Sequence, residues 1–75
     1  MPRVAEFNGI LVSIYAADHN PPHVHAYYGD YSALLEIATG NVIAGELPGK
    51  QLRLAQRWLA DNRDRMVEMW NTMNP

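Results

Sequence analysis

The chain has 75 residues, no cysteine and a net charge of −2, so it reads as one small domain without disulfides or thiolate metal sites. Apolar residues make up 48% of it, too many for a disordered chain, and no apolar run approaches the ~20 residues of a membrane span. The mildly acidic balance does not suggest an indiscriminate nucleic-acid binder, and the start, Met1-Pro2-Arg3, lacks the apolar stretch of a secretion signal.

The expected setting is therefore cytoplasmic, with no membrane contact. A domain this short buries only about 60% of its unfolded surface, which leads us to expect a homo-oligomer or a small protein partner. Charge is unevenly placed: residues 1–47 carry one base and five acids, residues 48–75 five bases and three acids. Such asymmetry suits self-association or one oppositely charged partner; nucleic acid is the less supported partner.

In chain order, Val4 to Tyr15 reads as a β-hairpin turning at Asn8-Gly9, two residues that tolerate the positive φ of a type I′ turn. That turn pairs Phe7 with Ile10, Ala5 with Val12 and Arg3 with Ile14. Directly opposed residues share a face, so Ala5, Phe7, Ile10, Val12 and Ile14 make an apolar side. Ala16 to Pro22 is a connection, stiffened by Pro21-Pro22, and either X-Pro bond is open to the cis form.

His23–Tyr28 and Tyr31–Ile37 read as a second hairpin across Gly29-Asp30. Its register opposes Tyr28 to Tyr31, Ala26 to Ala33 and Val24 to Leu35 on the apolar face. The other face receives His25 against Leu34, Tyr27 against Ser32, and His23 against Glu36. Thr39-Gly40-Asn41 turns the chain into a short strand at Val42-Ile43-Ala44.

From Pro48 the pattern becomes helical. Leu52, Ala55, Leu59, Met66, Trp70 and Met73 recur at helical spacing, with Trp58 and Met69 on the flanks. Trp58, Trp70 and the methionines read as core filling. Lys50, Arg53 and Arg57 form a stripe that reads as a solvated face. Asn62 interrupts the apolar stripe, so the helix is expected to bend or break around Asp61-Asn62. The fold expected is α+β: an antiparallel sheet of about five strands with one long C-terminal helix across its apolar face.

All three histidines fall in Asp18-His19-Asn20-Pro21-Pro22-His23-Val24-His25. His23 and His25, two apart on a strand, project to one side and can reach one ion such as zinc. His19 or Glu36 would supply a third ligand and leave a position for water. Without metal, His23 backed by Glu36 could serve as a base and His25 as an acid, with Tyr27 donating a hydrogen bond, as RNA cleavage requires. That chemistry also needs a cation, and none lies near in sequence. A third reading is a binding surface built from Tyr15, Tyr27, Tyr28, Tyr31 and the histidines. The bland alternative has Asp18, His19, Asn20, Pro21 and Pro22 shaping a turn and His23 pairing with Glu36 across the strands.

The run His19-Asn20-Pro21-Pro22-His23-Val24-His25, followed by Ala26-Tyr27-Tyr28, resembles the signature of a family of small bacterial proteins classed as domain of unknown function 4160. The Met1-Pro2 start, the Phe7-Asn8-Gly9-Ile10 turn, the Leu47-Pro48 opening of the helix and Trp70-Asn71 are similar to it as well. Asp18 stands where the family is associated with Glu. The resemblance implies a bacterial or phage source and a gene placed beside another small domain, similar to toxin–antitoxin pairs. The expected role is a component of such a two-gene module with the His23/His25 face as its working surface. Whether it is the toxic enzyme or the neutralising partner stays open at this stage, as do a non-catalytic binding domain and a small metal-binding protein.

Overall fold

Two turns set the sheet. Asn8 and Gly9 sit at φ 49° and 77°, the positive values a type I′ turn needs at both central positions. They join β1 (Arg3–Phe7) to β2 (Ile10–Ser13). Gly29, at φ 56°, opens the turn between β3 (His23–Tyr28) and β4 (Tyr31–Glu36). β5 (Val42–Glu46) follows the Thr39-Gly40-Asn41 turn. The computed structural model, which describes residues 3–75, arranges these strands as one antiparallel sheet in chain order. The Met1-Pro2 start lies outside the described residues.

The second hairpin has the register read from its turn, from Tyr28 opposite Tyr31 through to His23 opposite Glu36. The first keeps Phe7–Ile10 and Ala5–Val12 but sets Arg3 against Ser13, not Ile14. An irregularity between Arg3 and Ala5 causes the shift, and it lets Val4 as well as Ala5 pack against the core. Such a bulge re-aims a strand end by one residue.

The apolar alternation determines what is buried. Ile10, Val12, Ile14, Val24, Ala26, Ala33, Leu35 and Ile37 from the sheet half of the chain meet Ala55, Leu59, Met66 and Trp70 from the helical half. Each valine, leucine, isoleucine or methionine among them contributes about 1.5–3 kcal/mol when fully buried. Trp58 is half-buried and stacks on Phe7 at 5.7 Å between ring centroids. Lys50, Arg53 and Arg57 are exposed.

The one long helix expected, with a bend or break around Asp61-Asn62, is broken there into two: α1 (Gly49–Asp61, 13 residues) and α2 (Arg63–Met73, 11 residues). Asn62, at φ −121° and ψ 19°, leaves the helical region and separates them. Its side-chain amide donates to the Trp58 carbonyl at 2.9 Å, and its backbone N–H reaches the carbonyls of Trp58 and Leu59, both at 3.1 Å. A residue that satisfies the orphan carbonyls of a helix end stabilises the break. The junction is also tied to the β4–β5 connection: Arg63 Nε donates to the Ile37 carbonyl at 2.7 Å and Gln56 Nε2 to that of Gly40 at 2.9 Å. This break fixes where α2 ends, and its end helps build the site.

Candidate metal centre

His23 opens β3 and His25 follows two residues on, so both imidazoles leave the same side of the strand. The loop before them, residues 14–22, carries Asp18 back over the strand end. One carboxylate oxygen, Asp18 Oδ2, lies 2.9 Å from Nε2 of His23 and 3.1 Å from Nε2 of His25. A donor atom from each of the three residues falls within 4.8 Å of the others.

The other nitrogen of His23 decides what this arrangement can hold. Nδ1 lies 2.7 Å from the carbonyl oxygen of Pro21. A carbonyl only accepts, so Nδ1 carries hydrogen and donates to it. In a neutral imidazole Nε2 then presents a lone pair, and that lone pair would face a carboxylate oxygen. Only an electropositive centre, a second proton or a metal ion, makes the contact favourable. The Asp18 carboxyl is shifted accordingly. Burial pushes it up, but hydrogen bonds from His25, the His19 backbone N–H and His23, with the charge of His23, together hold it below its ordinary range.

The surroundings are aromatic and mostly closed. His23 is only 3% exposed, with the ring of Trp70 at 5.1 Å. His25 is more open, its side chain 22% exposed, and Tyr15 stands edge-on to it at 4.5 Å. The hydroxyls of Tyr15 and Tyr27 are 2.8 Å apart. Burial, and then this contact, push the Tyr27 hydroxyl up to about 12. His25 and Tyr27 also line a cleft of about 180 Å³ with Ser32, Leu34 and Ala44. Across the strand pair from His25 is Ser13, whose buried hydroxyl has no hydrogen-bond partner among the described residues. An orphaned hydroxyl of this kind costs about 1–3 kcal/mol.

The sequence-derived candidates divide. His23 and His25 come together, but His23 is covered by Trp70 and not displayed on an open sheet face. The reason is positional: His23 begins its strand where the Asp18 loop and the end of α2 close over the sheet. Glu36 lies opposite His23 in register, yet its carboxylate accepts from Thr39 Oγ1 at 2.7 Å. The carboxylate that meets the imidazoles belongs to Asp18, read from sequence as a turn residue. His19 points away, its side chain 93% exposed and its Nδ1 3.6 Å from the other Asp18 oxygen. Asn20 and Pro21 are exposed, Pro22 half-buried, and the Asn20–Pro21 peptide is cis.

Of the cations that phosphate chemistry would need, Arg3 pairs with Glu6 at 3.3 Å and Arg63 donates to the Ile37 carbonyl. Sequence reading missed Asn74. Its side-chain oxygen accepts from the Asp18 backbone N–H at 2.8 Å and its amide donates to the Tyr15 carbonyl at 3.2 Å. No sequence signal links positions so far apart.

Neither the curated proteins nor the solved structures contain a match to the chain. A family model described as Domain of unknown function (DUF4160) matches residues 9–71. That span holds the three clustered residues and most of the sheet and both helices, and the chain belongs to this family.

Proposed function

We propose that the chain is a small metal-binding domain in which His23, His25 and Asp18 hold one divalent first-row ion, zinc foremost, with a coordination position left open. The observation that carries this reading is the Pro21 carbonyl on Nδ1 of His23. Metal-bound histidines almost always donate their other N–H to a carbonyl or carboxylate, which fixes the tautomer and aims the remaining lone pair. The spacing of donors agrees. Bonds of about 2.0–2.1 Å place two ligands about 2.8–3.4 Å apart between right-angle and tetrahedral geometry. The Asp18–His23 and Asp18–His25 separations of 2.9 and 3.1 Å lie within that range, and the three donor atoms all fall within 4.8 Å of one another.

Two imidazoles and a carboxylate are the donor set of catalytic zinc sites and of non-haem iron sites. Three protein ligands leave room for water or a substrate atom, and His25, the more open of the two histidines, also lines a cleft. A bound ion there would act as a Lewis acid and bring the pKa of its water to about 7. The toxin–antitoxin-like role belongs to the same proposal, with this site as the working surface; the resemblance in the histidine–proline run supports it. Expression alone and together with the neighbouring gene product would separate a growth-arresting chain from a neutralising one.

The site itself is tested by titrating purified protein with Co²⁺ and following its visible absorption. One equivalent should bind. His23→Ala and His25→Ala should each weaken binding by about tenfold or more while keeping the far-ultraviolet circular dichroism of the fold. Glu36→Ala and His19→Ala should change nothing. Absence of a cobalt spectrum, with a melting temperature indifferent to zinc and to chelator, would remove the metal reading.

A further inference from the structure

The geometry points to Asn74 as the positioning residue of the site: it holds Asp18 against the two histidines without touching either. The inference rests on the metal reading for its consequence, though not for its geometry.

Asp18 sits on a loop, and the one local bond to its carboxylate, from the His19 backbone N–H to Oδ1 at 3.0 Å, does not hold the loop itself in place. Ala17, immediately before it, takes φ 57°, a left-handed conformation that alanine adopts at a cost of about 1–2 kcal/mol. Such a turn persists only where its surroundings over-determine it. Asn74 does so. Its Oδ1 accepts from the Asp18 N–H at 2.8 Å, and its Nδ2 donates to the carbonyls of Tyr15 at 3.2 Å and Trp70 at 3.3 Å. The first two bonds span Tyr15 to Asp18 and bracket the left-handed alanine between them. The third ties the same amide to the last turn of α2. One side chain therefore links the loop that carries the carboxylate to the helix whose Trp70 covers His23.

The simplest replacements lose part or all of this set of bonds. Aspartate keeps the acceptor for Asp18 N–H but loses both donors, and alanine loses all three bonds. Asp18, Trp70, Met73 and Asn74 also line a cleft of about 450 Å³, so the clamp is reached by solvent and its loss need not open the core.

The experiment compares wild type, Asn74→Ala, Asn74→Asp and Asp18→Asn by two readouts. The first uses metal-free protein and reads the imidazole NMR signals of His23 and His25. Asn74→Ala should shift both in the direction that Asp18→Asn does, Asn74→Asp should shift them less, and Thr72→Ala on the exposed side of α2 should leave them in place. The second is Co²⁺ affinity. Asn74→Ala should weaken it about tenfold or more, with no further loss when combined with Asp18→Asn. If Asn74→Ala does not fold, the same shifts are read in Asn74→Asp. Imidazole shifts without cobalt binding in wild type would retain the clamp and discard the metal. Cobalt binding in wild type that neither Asn74 variant alters, with unmoved imidazole signals, would overturn the positioning role.

Discussion

Asp18 carries a charge that the folded state uses, and this fixes how its loss depends on pH. Its carboxyl is held below the ordinary range by the imidazoles and the His19 N–H despite burial. A depressed carboxyl contributes stability that is present above its unfolded value of about 3.9 and lost as pH falls through the folded value. In the presence of chelator, Asp18→Asn should therefore be less stable than wild type near neutrality. The gap, measured by urea unfolding at a series of pH values, should close below about pH 4; a gap that widens toward acid would contradict the assignment. The same residue marks where sequence reading stopped. The β3–β4 register correctly set Glu36 opposite His23, but register fixes backbones and faces, not which carboxylate turns inward. Thr39 takes the Glu36 carboxylate, and the path of an irregular loop brings in Asp18 instead.

At the scale of elements, turn chemistry was the informative signal. Asn8-Gly9 and Gly29 demand positive φ, and once those turns are placed, period-two alternation leaves one register that buries the apolar face. The helical half was less legible because periodicity marks a buried stripe and not its continuity. Asn62 shows the difference. Helix propensity alone says that alanine there should fuse α1 to α2 and stabilise the chain by a few tenths of a kcal/mol. The contacts say otherwise, since the Asn62 amide occupies the Trp58 carbonyl at 2.9 Å. Asn62→Ala should therefore lower stability by about 0.5–1.5 kcal/mol, read as a lower midpoint in denaturant. It should also disturb the Co²⁺ affinity, because the break directs α2 toward His23. A more stable variant with unchanged metal affinity would show that the break is incidental.

For the whole molecule, fold and site are one equilibrium. Three donors gathered from a loop and a strand exist as a set only in the folded chain, so a bound ion favours that state. Free zinc at a hundred times its dissociation constant would add about 2.7 kcal/mol. For a domain of this length that corresponds to a rise in melting temperature of roughly 10–20 °C. Calorimetry with zinc and with chelator should show this difference in wild type and lose it in His23→Ala. The bond from Asn74 to Asp18 adds a consequence in time. Asp18, His23 and His25 are made early in synthesis and Asn74 far later, so a ribosome-bound chain has every donor but not the clamp. On the positioning role proposed for Asn74, the site would be completed only after residue 74 has emerged and bonded to the Asp18 N–H. Premature termination or proteolytic trimming before that residue would release a chain with its histidine motif intact and its carboxylate adrift.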